Sequence, residues 1–163
     1  MDIYLNKEKI NHVKSVLNTS IANEETMEMI VPDALPDILR IVDADATVFL
    51  RSKSTDPGRV SVSGVAAATV IYSGENDSGV YKMDLEIPFT AISSDGEIQP
   101  STRVTANVSV MSADAAMINP RKIIVRVNLM TNVSCFNEAE LSVASGMDED
   151  NDAEIELLTD TSE

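Results

Sequence analysis

Few side chains in this chain of 163 residues are of a type that performs nucleophilic or metal chemistry. His12 is the single histidine and Cys135 the single cysteine. A nucleophilic cysteine needs a base and an orienting group within hydrogen-bond reach. Cys135 lies towards the end of a β-pattern, where a packed thiol is the ordinary outcome. A structural zinc site needs three or four His or Cys ligands, so the sequence predicts neither a catalytic cysteine nor zinc.

Acidic residues are abundant, and the chemistry they could support is limited by their spacing. Asp148, Asp150 and Asp152 have the spacing that opens a calcium loop, but Ala153 replaces the required glycine and Thr159 the required glutamate. Carboxylate pairs for glycoside hydrolysis usually lie among aromatic platforms, and this chain has no Trp and three Tyr. It also has no glycine-rich phosphate loop. We therefore expect a protein that is not an enzyme and that uses no cofactor and no metal.

The net charge of −15 restricts the partners of the chain. There are 27 acids against 12 bases, and the segment from Asp148 to Glu163 is especially acidic. Phosphate backbones and anionic membranes repel such a chain, so we expect no nucleic-acid partner. No apolar run approaches the length of a membrane span, and the N-terminus lacks the pattern of a signal peptide. These observations favour a cytoplasmic protein.

Most of the chain has the alternating pattern of half-buried strands. Such runs cover residues 46–51, 60–72, 80–89, 103–110 and 123–136. Turns are predicted at Asp56-Pro57-Gly58 and at Asn119-Pro120-Arg121, and residues 60–72 and 80–89 predict a hairpin. We predict one mainly β domain over residues 1–145, an antiparallel sandwich or barrel, followed by a flexible acidic tail or linker at 146–163. Long strands also suggest a homodimer through strand edges.

One stretch departs from alternation and has the apolar spacing of a helix. Its apolar residues are Ile38, Leu39, Ile41 and Val42. We predict a short helix near residues 34–44, with Asp33 or Leu35 as its cap, and too short to be stable alone. It either plugs the end of the sheet or faces a partner. The candidate partner-binding residues are Asp33, Pro36, Asp37, Ile38, Arg40 and Asp43.

Three features together resemble a known family. They are residues 30–46 with the run Pro36-Asp37-Ile38-Leu39-Arg40-Ile41; residues 59–64 and 70–72 with Tyr81 and residues 86–89; and residues 119–123. They resemble the SPOCS domain, the β-rich module of SipL-like spore coat morphogenesis proteins. The likeness spans roughly residues 8–145, and its most specific part is the Pro-Asp-Ile-Leu-Arg-Ile run.

The resemblance implies a non-enzymatic scaffold that acts during sporulation. Members of the family bind a coat morphogenetic ATPase and help to anchor the coat around the forespore, on its mother-cell side. Many also carry a LysM module for peptidoglycan. This chain has no LysM-like segment, so we expect peptidoglycan binding only if a LysM module is missing from it. The alternative interpretation is a β-sandwich that binds a small molecule or a glycan, which would need a concave site with converging polar groups.

Overall fold

The computed structural model describes residues 5–75 and 79–147, with side chains for residues 7–75 and 79–144. Every regular element within these ranges is a β-strand. The strands are β1 (Leu5–Ile30), β2 (Ile38–Asp56), β3 (Arg59–Gly74), β4 (Val80–Ser94), β5 (Arg103–Asn119) and β6 (Lys122–Met147). The prediction of a mainly β fold is confirmed.

The strands form two antiparallel sheets and not one closed barrel. One sheet has the order β2-β3-β4 and the other β1-β6-β5. The predicted hairpin is confirmed, since β3 pairs with β4, and the predicted turn at Asp56-Pro57-Gly58 joins β2 to β3, its antiparallel neighbour. Gly58 has a φ of 76°, which glycine adopts without steric cost.

Two compact units can be distinguished. The main unit consists of residues 14–137, and the terminal unit, within the described part of the chain, of residues 5–13 together with 138–147. The acidic segment 148–163 lies outside the described residues, so a flexible tail over 146–163 stays a prediction. Within the part of the chain that the structure describes, no helix has the length and apolar character to cross a membrane.

The core of the main unit follows the alternation of its strands. The even-numbered residues of β3 from Val60 to Tyr72 are all buried, and so are the odd-numbered residues of β4 from Met83 to Ala91. In β6 the odd-numbered residues from Ile123 to Cys135 are buried in the same way. Side chains from these three rows pack together in the core. The inward faces of these strands were therefore predictable from their period of two.

The prediction of a short helix at residues 34–44 is wrong. Residues 32–37 form a loop without regular structure, and β2 begins at Ile38. The apolar residues Ile38 and Ile41 lie on a strand that pairs with β3 and not on a helix docked to the sheet.

Three register shifts interrupt the pairing of β2 with β3, and the first two, which are β-bulges near the start of β2, explain the helical spacing. The register of β2 on β3 shifts between Ile38 and Arg40 and again between Ile41 and Asp43. A bulge places two residues of one strand opposite one residue of its partner. Inward side chains therefore recur at every third residue, Ile38, Ile41 and Ala44, and the period of two returns only beyond the second bulge. A spacing of three imitates the helical pattern.

Candidate partner-binding site

Arg121 holds the loop of residues 32–37 in place. Its Nη1 atom donates to the carbonyl oxygen of Leu35 at 2.9 Å and to Oδ1 of Asp37 at 3.0 Å. Its Nη2 atom donates to the carbonyl oxygen of Val31 at 3.0 Å and to Oδ1 of Asp33 at 3.1 Å. One planar guanidinium thus bonds two backbone carbonyls and two carboxylates. We call this arrangement the Arg121 clamp.

The β5–β6 turn presents Arg121 to the loop. Oδ1 of Asn119 accepts a hydrogen bond from the backbone N–H of Arg121 at 2.9 Å, the local bond by which asparagine stabilises a turn. The backbone carbonyl of Arg121 accepts from the N–H of Val31, and that of Pro120 accepts from the N–H of Ile38, both at 2.8 Å. The Pro-Asp loop and the Asn-Pro-Arg turn, two separate parts of the sequence pattern, therefore form one structure.

Two further hydrogen bonds hold the loop, one from β3 and one from the residue that follows it. The hydroxyl of Tyr72 donates to the carbonyl oxygen of Pro36 at 3.0 Å, and the N–H of Glu75 donates to the carbonyl oxygen of Asp37 at 2.9 Å. The Tyr72 ring is fully buried. Burial raises the pKa of Tyr72 above its ordinary value. Tyr81 and Asp37 raise this pKa further by smaller amounts, and the positive charge of Arg121 lowers it. The buried phenol is therefore neutral and able to donate.

The predicted site residues divide into three groups. Asp33 and Asp37 bind Arg121, and the carbonyl of Pro36 accepts from Tyr72, so these three hold the loop. Ile38 is 1% exposed and belongs to the core. Arg40 and Asp43 are exposed on β2. The structure thus brings the loop residues together, and leaves Arg40 and Asp43 on the outward side of the sheet.

That outward side is a surface that the sequence interpretation did not single out. We define the outer face as the outward side chains of the β2-β3-β4 sheet. Its central rows of cross-strand neighbours are Asp43–Ile71–Lys82, Asp45–Thr69–Asp84, Thr47–Ala67–Glu86 and Phe49–Val65–Pro88. Phe49 is 53% exposed, and Leu39 and Val42, the extra residues of the two bulges, are 55% and 49% exposed. Apolar and acidic side chains share this face.

A sequence signal for this face exists in β2. Phe49 lies between Val48 and Leu50, so apolar residues occupy both parities of the strand at this point. Because successive side chains of a strand point to opposite sides, one of these residues must face outward if its neighbours face the core. The run therefore indicated at least one exposed apolar side chain, and the structure exposes Phe49 by 53% and Leu50 by 39%.

The candidates for chemistry do not form a reactive group within the main unit. Cys135 is buried there, and burial, with a smaller contribution from Asp95, raises the pKa of its thiol, which disfavours the nucleophilic thiolate. Among the residues that the structure describes, no group of three His, Cys, Asp or Glu could hold a metal ion. The calcium-like spacing that begins at Asp148 lies outside the described residues.

The terminal unit contains a surface cleft. It has a volume of about 390 Å³ and is lined by Asn11, His12, Val13, Glu138, Ala139 and Glu140. Glu140 already forms an ion pair with Lys9 at 2.6 Å. No aromatic ring is among the described residues that line the cleft.

The chain is thus defined by a two-sheet β fold, a loop fixed by the Arg121 clamp, and an outer face that carries exposed apolar residues. A family model described as the SPOCS domain of SipL matches residues 37–118, which is half of the chain. The chain belongs to the SipL SPOCS domain family, and this membership indicates a role related to sporulation. The match covers the whole β2-β3-β4 sheet, whereas Arg121 and Asp33 lie outside it. Comparison with curated proteins gave no match, and comparison with solved structures gave none.

Proposed function

We propose that this domain is a non-enzymatic protein–protein interaction module that acts as a scaffold in the assembly of the spore coat or envelope. Membership of the SPOCS family supports the sporulation context. In this proposal the domain acts in the cytoplasm, on the mother-cell side of the forespore surface. Its partner is a coat protein, and the coat morphogenetic ATPase is the first candidate to test.

The observation that carries the proposal is the exposure of Leu39, Val42 and Phe49 along one strand. Exposed apolar patches that are rimmed by polar residues mark binding surfaces, protein–protein interfaces among them. The Arg121 clamp fixes the loop from which β2 starts, so these side chains stand on a rigid base. A rigid interface loses little conformational entropy on binding.

A small-molecule or glycan site is the weaker interpretation. Ligand pockets are concave and mostly apolar, and they enclose most of their ligand. The cleft of the terminal unit has a suitable volume, but charged and polar residues supply much of its lining. We therefore assign the main function to protein binding.

Binding to the purified coat ATPase tests the proposal. The full chain, immobilised through a tag, should bind the ATPase saturably, and should recover the same protein from a lysate of sporulating cells. A lysate of vegetative cells is the control for recovery that does not depend on sporulation. If neither the purified ATPase nor any other coat protein binds, the scaffold function is wrong for this domain.

A further inference from the structure

We propose that the outer face binds a basic protein segment, which places an apolar side chain against Phe49 and its Lys or Arg side chains against the neighbouring acids. This inference rests on the proposed function, because it names the surface and the chemistry of the partner. It concerns only residues of the β2-β3-β4 sheet within the main unit.

The apolar part of this surface is the row Phe49–Val65–Pro88. The chain has only three Phe and no Trp, yet it leaves one of these rings half exposed on the surface of the sheet. Exposing a large aromatic ring to water is unfavourable, and such rings are the residues that most often dominate binding energy at interfaces. Val65 lies beside it in the centre of the sheet and is itself partly exposed. The row therefore offers a partner an apolar anchor point.

The acidic part of the surface lies directly beside this row. Glu86 is in the next row, and Asp45 and Asp84 are in the row beyond it. Thr69 donates to Oδ1 of Asp84 at 2.7 Å, and Lys82 lies 3.0 Å from its other oxygen. Both hydrogen bonds lower the pKa of Asp84, so its carboxylate is ionised at neutral pH. Lys82 and Arg40 each offset one negative charge of the face, and its acids, Asp43, Asp45, Asp84 and Glu86, remain in excess.

Ala67 leaves space between these acids. It occupies the centre of its row, between Thr47 and Glu86, and is too short to fill the surface there. The resulting depression has a volume of about 290 Å³, and its charged lining residues are the acids Asp84 and Glu86 and the base Lys82, which is paired with Asp84. A long basic side chain could lie along this floor with its charged end at a carboxylate, the geometry in which Lys and Arg bury their apolar stems.

Charge complementarity selects this occupant over the others that a sheet face could accept. A second copy placed face to face would bring the same acids against each other, and like charges across an interface are costly. The segment 148–163 of this chain is strongly acidic and is repelled for the same reason. Nucleic acid carries the wrong charge. A basic protein segment with an apolar anchor matches both parts of the face.

The test is an NMR titration of the full chain with two synthetic peptides of equal length. In the first peptide leucines are flanked by arginines and lysines, and in the second those basic residues are replaced by glutamates. The basic peptide should shift amide resonances of β2, β3 and β4 around Phe49, Ala67 and Glu86, and the acidic peptide should not. Shifts confined to the acidic segment 148–163, or equal shifts from both peptides, would overturn the inference.

Two charge variants supply a second measurement, because one should weaken binding of the basic peptide and the other should tighten it. Glu86→Lys should weaken binding of the basic peptide about tenfold, because it sets like charges opposite each other. Arg40→Glu adds an acid to the same face and should tighten binding about threefold. Glu8→Lys makes the same charge change at an exposed side chain of β1, outside this sheet, and is the control, with affinity unchanged. If Arg40→Glu weakens binding as Glu86→Lys does, or if the control weakens it equally, the inference is wrong.

The peptide titration and the ATPase experiment can fail separately. If the ATPase does not bind but the basic peptide shifts the resonances of the outer face, the proposed partner is wrong and the surface for a basic segment is retained. ATPase binding that Glu86→Lys leaves unchanged, with a negative titration, would retain the scaffold function and refute this surface.

Discussion

Arg121 satisfies four acceptors through one side chain, and this depends on the shape of the guanidinium. Its donors form a planar fork that reaches acceptors on two sides at once, whereas a lysine ammonium is a compact charge on a flexible stem. The Arg121 side chain is 34% exposed, so water screens its ion pairs with Asp33 and Asp37. The strength of the clamp comes chiefly from the bonds to the two backbone carbonyls of Val31 and Leu35.

We predict that Arg121→Lys lowers the free energy of unfolding by about 1–2 kcal/mol, because hydrogen bonds from a charged donor are lost. Urea unfolding followed by circular dichroism measures the change. The matched control is Arg126→Lys on β6, where the guanidinium makes an exposed ion pair with Glu24 at 3.4 Å. The control should cost less than about 0.5 kcal/mol. Equal losses in both variants would mean that the clamp contributes no more than a surface ion pair.

Gly64 is required for steric reasons. A Cβ atom at this position would lie 2.3 Å from the carbonyl oxygen of Phe49 and 2.7 Å from the ring of Phe89, its cross-strand neighbour. We predict that Gly64→Ala destabilises the fold by about 2–3 kcal/mol, since overpacking forces backbone shifts. Gly96→Ala is the control, because a Cβ there meets nothing within 4 Å. Thermal unfolding of the two variants checks this difference, and similar melting temperatures would contradict it.

Tyr72 makes the stability of the fold depend on pH. Its pKa is raised in the folded state, so the folded chain keeps the phenol proton where the unfolded chain has begun to release it. This stabilisation is fully present below pH 10, the ordinary tyrosine pKa, and is lost as the pH rises through the folded-state value. We predict that Tyr72→Phe removes this part of the decline and costs about 1 kcal/mol at neutral pH through the lost bond to Pro36. Unfolding free energies measured from about pH 8 to 11 compare the two proteins, and parallel curves would refute the assignment.

At the level of elements, the start of β2 can be tested as a bulged strand against the helix that its apolar spacing predicted. On a helix docked to the sheet, Ile38 and Leu39 would both face the core. On the bulged strand, Ile38 is 1% exposed and Leu39 is 55% exposed. We therefore predict that Ile38→Ala costs about 2–4 kcal/mol, whereas Leu39→Ala is nearly neutral for stability. Denaturant unfolding of this pair of variants measures the difference, and comparable losses would favour the helical arrangement.

The sequence allows β3, β4 and β6 to be predicted because nothing interrupts their alternation. It does not allow the start of β2 to be predicted, since bulges add residues whose positions depend on the partner strand. The Arg121 clamp could not be predicted either. Arg121 and Asp37 are 84 residues apart, and no local pattern indicates which turn meets which loop. The family pattern contained both segments, but only the fold shows that they touch.

At the scale of the whole molecule, the acidic charge determines how a partner approaches. A net charge of −15 attracts basic partners over distance and repels other copies of the chain. The homodimer through strand edges stays a prediction, and this repulsion between copies would weaken it. Analytical ultracentrifugation at low and high salt would detect such a dimer as an assembly favoured by salt.

Salt should act on the two halves of the outer face differently. Electrostatic attraction between exposed charges is screened as the Debye length falls from about 10 Å at 0.1 M salt to about 3 Å at 1 M, whereas apolar contact is not weakened in this way. We predict that affinity for the basic peptide falls with salt in the native protein, and that Glu86→Gln makes this fall less steep. Phe49→Ala should lower affinity about tenfold at every salt concentration and leave the slope unchanged. Isothermal titration calorimetry over a salt series separates the two effects. A slope that Glu86→Gln does not alter would mean that the acids of this face do not contact the partner, and that its charge acts only through the molecule as a whole.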